Sequence, residues 1–286
     1  MTVYLAGAAG YEFARGRPIL ESFWYRSNAE EGMHDTDNFF LDSGAFTAFT
    51  KGEVINIKEY AHFVTARRDR ITVASSLDAI GDAEQSYRNY RILKDELGVD
   101  VIPVFHCRED VRWLCKYLEE GVPYLALGGM VPETIDYKRK WLDDLYSRYL
   151  TDASRRPITK VHGFGLTVGW LIERYPWFSV DSTTWLNGAK FGVLIVNFEG
   201  SRLQHVGYSE QHPQRRDKGS NHIEHLSPAE RAVVLEKIER AGLTLEEIRT
   251  NTKAALAFNA WSFQEWEDLY GFPTTFEYAQ QQEELW

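Results

Sequence analysis

Phe39-Phe40-Leu41-Asp42-Ser43-Gly44-Ala45-Phe46 is an apolar run that ends in an aspartate followed by a serine. Phe178-Ser179-Val180-Asp181-Ser182-Thr183 repeats the pattern far downstream. A short apolar run of this kind reads as a buried strand. Aspartate is a poor strand former and is costly to bury unpaired, so a carboxylate at the end of such a strand needs a reason. In parallel α/β folds the carboxyl ends of strands are where sites are built. Two carboxylates far apart in sequence can converge there on one substrate.

Working outward from these strings, short apolar runs alternate with helical patterns. The candidate strands are Val3–Ala6, Phe39–Leu41, Ile71–Leu77, Val101–Phe105, Tyr124–Leu127, Lys160–Phe164, Trp177–Val180 and Gly192–Asn197. Helix starts stand between them: Asn56 before Tyr60–Arg68, Asp82 before Ala83–Leu97, Asp110 before Leu118, and Thr134 before Leu150. Side chains of this type satisfy the orphan amides of a first turn. Eight strands alternating with helices predict an α/β fold of the (β/α)8 TIM-barrel type over residues 1–198, with a doubly wound open sheet as the rival. Residues 199–226 are polar and contain His205, His212, His222 and the run Arg215-Arg216-Asp217-Lys218. They read either as a solvated insertion loop or as a basic loop for a polyanion. Over 227–286, Ser227-Pro228-Ala229-Glu230, Thr244-Leu245-Glu246-Glu247 and Ser262-Phe263-Gln264-Glu265 have the form of capping boxes. They predict three extra C-terminal helices packed on the barrel, within a single domain overall.

Composition narrows the class. A formal charge of −10 argues against a uniformly basic nucleic-acid coat but permits a local cationic strip. Two cysteines, Cys107 and Cys115, cannot build a disulfide framework, which points to the reducing cytoplasm. Met1 to Gly7 lacks a basic segment, so no signal peptide is expected, and no apolar stretch is long enough to span a membrane.

The candidate strands end at Asp42, Asp78, His106, Gly128-Gly129-Met130, His162-Gly163-Phe164-Gly165 and Asp181. In a barrel these face one mouth. Carboxylates, imidazoles and bare glycine backbone together make a site composition rather than a core composition. In their order and spacing, Asp42-Ser43-Gly44-Ala45-Phe46, Asp78, Gly128-Gly129-Met130, the turn at His162–Gly165 and Asp181-Ser182 resemble the tRNA-guanine transglycosylase and 7-deazaguanine transglycosylase superfamily over roughly residues 38–186.

The resemblance implies exchange of guanine for a 7-deazaguanine base in a polynucleotide. It makes Asp181 the nucleophile of a covalent glycosyl intermediate and Asp42 the acid/base. Asp78, Ser43, His106, Met130 and the Gly128-Gly129 backbone would bind the base, and Phe46 and His162 would sandwich it. Two departures stand out: His106 replaces a glutamine, and the family's zinc-binding cysteine cluster is absent. No metal and no cofactor are therefore expected, and DNA is favoured over tRNA as the partner. Arg215, Arg216 and Lys218, then Lys138, Arg139 and Lys140, are the candidate phosphate contacts. Beside this stand a two-carboxylate glycoside hydrolase on the same barrel and a non-catalytic partner subunit. Each residue also has an ordinary structural reading: Asp42 and Asp181 as helix caps, Phe46 as core, His106 and His162 as satisfied buried histidines.

Overall fold

A computed structural model describes residues 1–166, 168–198, 203–217 and 220–269. Eight parallel strands, β1 (Thr2–Ala6), β2 (Ile19–Ser22), β3 (Phe39–Asp42), β4 (Val73–Ala74), β5 (Val104–His106), β6 (Tyr124–Gly128), β7 (Lys160–Gly163) and β8 (Ser179–Ser182), form one sheet. Its order is β4-β3-β2-β1-β8-β7-β6-β5. A parallel bridge between Ser75 and Ile102 joins the two edges, with Ile102 N–H donating to Ala74 O (2.8 Å) and Ser76 N–H to Ile102 O (2.7 Å). The ring is a TIM-type barrel, and the β4–β5 seam is its thinnest ladder.

Helices α1 (Arg26–Asp35), α2 (Ala45–Thr50), α3 (Ile57–Ala66), α4 (Ala83–Arg91), α5 (Arg112–Glu119), α6 (Ile135–Leu145), α7 (Gly169–Arg174) and α8 (Thr184–Lys190) connect the strands and lead out of β8. Three of the four caps read from the sequence are made: Asn56 Oδ1 accepts from Lys58 and Glu59 N–H, Asp82 Oδ1 from Gln85 N–H, and Thr134 Oγ1 from Tyr137 N–H. At α5 the cap position is Val111, and Asp110 instead accepts Arg112 N–H from one residue ahead of it. Alternation along each strand divides the core in two. Val3, Leu5, Ile19, Phe39 and Leu41 pack outward under the helices, while Tyr4, Ala6, Leu20 and Phe40 fill the barrel with Val73, Ile102 and Phe164.

The count of eight strands holds, but the membership differs. Ile19–Ser22 is a barrel strand that the sequence reading passed over, because it offers only Ile19 and Leu20 as an apolar run. Glu21 is nonetheless buried at 4 % exposure, its Oε1 accepting Ala9 N–H at 2.8 Å. The expected eighth strand is instead β9 (Val193–Asn197), paired antiparallel with β10 (Leu203–Gly207) outside the barrel. The stretch read as a polar loop therefore contains a strand and, at Pro213–Arg216, a short 3-10 turn.

Beyond it come α9 (Pro228–Arg240), α10 (Leu245–Thr250) and α11 (Thr252–Leu269). The first two capping boxes are formed. The third is not: α11 already starts at Thr252, and Ser262 and Glu265 lie buried within it. Asn259 ties α11 to the hairpin, accepting Ile195 N–H (2.8 Å) and donating to Trp185 O (3.1 Å) and Val193 O (3.2 Å). No helix among the described residues is long and apolar enough to cross a membrane.

Candidate active site

Strand register decides what reaches the mouth. Asp42 stands opposite Ser22 across the β2–β3 ladder, His106 opposite Gly128 across β5–β6, and Asp181 opposite Tyr4 across β1–β8. The turn after β3 bends sharply at Gly44, whose φ of +80° suits glycine. A Cβ there would lie 2.7 Å from Ser22 Oγ and 2.9 Å from Trp24 N. Gly44 N–H donates to Asp42 Oδ2 at 3.0 Å. The Asp42 carboxyl is nevertheless pushed up to about 7, first by burial and then by the charges of Asp78 and Asp181, against the hydrogen bonds from Gly44 and Ser22. Three strand-end carboxylates thus share one mouth, with Asp78 and Asp181 close enough to act on Asp42.

Ser43 joins the β3 turn to the next strand end. Its N–H donates to Ser75 Oγ (2.9 Å) and its hydroxyl to Asp78 Oδ1 (3.0 Å). The second oxygen of Asp78 lies 2.8 Å from His106 Nε2, and Glu109 Oε1 lies 3.1 Å from Nδ1. Burial alone would discharge this imidazole, but hydrogen bonds to Asp78 and Glu109 outweigh it and raise its pKa to about 10. His106 is a fixed cation between two carboxylates at neutral pH. Its ring lies against Gly128, where a Cβ would meet Cδ2 at 2.8 Å. Gly129, at φ +73°, accepts a hydrogen bond from Cys107 Sγ on its carbonyl (2.8 Å). Met130 is buried in the outer core at 1 % exposure.

Asp181 Oδ1 accepts Gly165 N–H at 2.8 Å. His162 lies one layer below, fully buried, with its ring against Phe40 (centroids 4.5 Å apart), Phe164 (4.6 Å) and Tyr4 (6.1 Å). Its Nε2 is 3.3 Å from Asp181 Oδ1 but poorly aligned, an electrostatic contact rather than a directed hydrogen bond. Burial lowers the pKa of His162, against the pull of Asp181. Phe46 is on α2 and 63 % exposed, so it and the buried His162 do not form the two sides of a slot.

The basic residues divide. Lys138 is buried, and burial lowers its pKa. Arg139 pairs with Asp136 (3.1 Å) and Asp143 (3.3 Å), and Lys140 with Asp136 (2.8 Å). This helix face is internally compensated rather than a free cationic strip. Arg215 and Arg216 are exposed on the 3-10 turn, Arg215 lying 3.9 Å from Glu210, and Lys218 lies outside the described residues. In the same segment His222 is buried and His222 and His225 hydrogen-bond to backbone carbonyls. Among the described residues no group of histidines, cysteines and carboxylates is arranged to hold a metal ion.

Four participants were not singled out as site residues from sequence: Ser22, Glu109, Ser179 and Tyr124. Glu109 had a legible signal, an acid three residues after a strand-end histidine. Ser22 was hidden with its strand, and the other two belong to the barrel interior.

No protein-family model matches the chain, and no curated protein matches it. A solved structure of a 4-hydroxy-2-oxoglutarate/2-dehydro-3-deoxyphosphogluconate aldolase is similar in 90 % of this chain and 94 % of its own, at 12 % identity and a TM-score of 0.41. A likeness of that size carries no argument about activity. The resemblance to the transglycosylase superfamily is corrected: no family model and no curated protein supports it. The glycosyltransferase assignment, with its 7-deazaguanine and DNA or tRNA exchange, falls with it. The geometry supplies physical reasons. Asp78 is engaged by His106 and Ser43, and Met130 and His162 are core residues.

Proposed function

We propose that this barrel is a two-carboxylate hydrolase acting on a glycosidic bond, with Asp42 as proton donor and Asp181 as the facing carboxylate. The observation that carries the reading is the convergence of Asp42 and Asp181, from β3 and β8, in one mouth where the Asp181 carboxylate helps to hold the proton on Asp42. Asp42, with its pKa near 7, holds a proton at neutral pH that a departing oxygen can take. Asp181 accepts Gly165 N–H, has the His162 imidazole beside it, and stands ready to stabilise or attack the anomeric carbon. Cleavage breaks the bond from that carbon to the leaving oxygen, and water supplies the replacement hydroxyl and the proton returned to Asp42. Gly128 is bare because His106 lies on it, and Asp78 is there to hold His106.

The test is release of nitrophenol from a panel of aryl pyranosides and furanosides. Turnover is expected to fall roughly 10²–10⁴-fold in Asp42→Asn, the range for loss of a general acid. A comparable loss is expected in Asp181→Asn. Absence of release from every member by the wild-type chain, or full turnover in both variants, refutes the reading.

A further inference from the structure

Below Asp181 a chain of side chains runs down the barrel axis. His162 Nδ1 is 2.6 Å from Ser179 Oγ, and Ser179 Oγ is 2.6 Å from Tyr124 Oη. His162 and Ser179 are buried at 0 % and 1 % exposure. Tyr124, at the start of β6, lines a cavity of ≈ 760 Å³ at the N-terminal end of β4, β5 and β6, together with Tyr90, Lys94 and Ile102. The chain thus links the floor of the barrel to the carboxylate at its mouth.

We infer that Tyr124, Ser179 and His162 form a unidirectional hydrogen-bonded chain that fixes His162 with its proton on Nε2, facing Asp181, and so makes His162 the positioning residue for that carboxylate. This rests on the reading of Asp181 as a reacting group. Donor and acceptor inventory gives the direction. Each hydroxyl has one proton. If Ser179 donates to Nδ1, it must accept from Tyr124, and the ring proton is left on Nε2. The reverse order would place the Nε2 lone pair against Asp181 Oδ1 at 3.3 Å, two acceptors facing each other in a dry core. Tyr124 is suited to be the first donor, since burial holds its phenol up to about 12 despite the bond to Ser179. The aromatic surroundings keep His162 neutral, so it has one proton to place.

Other groups near Asp181 do not duplicate this role. Asp42 faces it from β3 as a second carboxyl group, which repels it when ionised. Tyr4, its neighbour in register, donates its hydroxyl to Asn38 instead (2.8 Å). Gly165 N–H donates to its Oδ1 from the loop after β7.

The experiment is ¹⁵N-histidine NMR of the full chain, joined to ¹³C titration of aspartate carboxyls. Wild-type His162 is expected as the Nε2–H tautomer at pH 8; an Nδ1–H tautomer or an imidazolium there overturns the inference. Ser179→Ala is expected to keep the Nε2–H tautomer but to move the Nδ1 resonance, because Nδ1 loses the hydrogen bond it accepts; an unmoved Nδ1 resonance overturns it. His162→Phe, which the aromatic cage can accommodate, is expected to raise the Asp181 midpoint, because the carboxylate loses its polar Nε2–H neighbour. His162→Gln, which retains an N–H donor, is expected to restore most of that difference; an unmoved midpoint in His162→Phe overturns the role. None of these readouts uses turnover. Glycosides left uncleaved by a chain with the expected tautomer count against the hydrolase reading alone.

Discussion

His106 Nε2 lies 2.8 Å from Asp78 Oδ2, and with Glu109 on the other nitrogen the imidazole is held as a cation inside the barrel mouth. This arrangement couples stability to pH in a definite direction. The folded-state pKa is raised to about 10, against about 6.5 in the unfolded chain. The stabilisation is fully present below about pH 6.5 and is lost as pH rises through 10. The wild-type urea midpoint is expected to fall across that window. In His106→Gln it should start lower at pH 6.5, because Asp78 and Glu109 lose their shared cation, and change little up to pH 10. Parallel pH curves for the two chains would show that His106 is not charged in the fold.

Gly128 and His106 test the same clamp from the other side. A methyl at Gly128 would sit 2.8 Å from Cδ2 and 3.1 Å from Nε2 of a ring that Asp78 and Glu109 hold on both nitrogens. The ring cannot swing aside without breaking a charged hydrogen bond. Gly128→Ala is expected to destabilise by about 1–3 kcal/mol, the usual range for overpacking, and to lower the titration midpoint of His106. Chemical denaturation and ¹⁵N-histidine titration read the two effects. A variant as stable as wild type, with His106 unmoved, would mean the ring has slack.

How much of this was legible depended on what burial does to sequence. Asp42 and Asp181 declared themselves because an acid after an apolar run is unusual. The β2 strand did not, because Glu21 is buried between barrel and helices and breaks the apolar run. β9 imitated a barrel strand because the hairpin partner and α11 bury Leu194, Ile195 and Val196 as thoroughly as a barrel would. Strand ends also hid depth. His162 pairs with Ser179, two residues short of Asp181, so His162 lies a layer below the mouth. No pattern in single strands gives that register. Ser262 and Glu265 met the spacing of a capping box, but Glu265 answers to Lys237 and Arg240 instead.

That last contact supports the C-terminal helices. Lys237 Nζ is 2.7 Å from Glu265 Oε2, both side chains 5 % exposed, and Arg240 approaches Oε1 at 2.9 Å. Removing one member of a buried pair leaves an uncompensated charge, while replacing both with apolar groups of similar volume is often neutral. Lys237→Ala leaves Glu265 with the half-exposed Arg240 alone and Oε2 without its donor, and is expected to lose about 1–3 kcal/mol. The double change Lys237→Met with Glu265→Leu should recover most of it, leaving Arg240 to solvent. Equal losses in the single and double variants, measured by urea denaturation, would assign the effect to packing alone.

Asp42→Asn should separate stability from chemistry. The Asp42 carboxyl has a folded pKa of about 7 against about 3.9 unfolded. Between those values the native chain binds more protons than the unfolded one, so stability from this group is present below about pH 4 and lost as pH rises to 7. Glu21, also pushed up to about 7 by burial, acts in the same window and remains in both chains, so it cancels in the difference. Asparagine keeps an oxygen for Gly44 N–H and cannot ionise. Thermal midpoints should therefore coincide near pH 4, and the variant should be more stable at pH 8, on the order of 2 kcal/mol or a few degrees. Proton donation to the leaving group is lost in the same change. A variant less stable than wild type at pH 8 would mean that the ionised Asp42 is held favourably in the mouth, and would remove it as the proton donor.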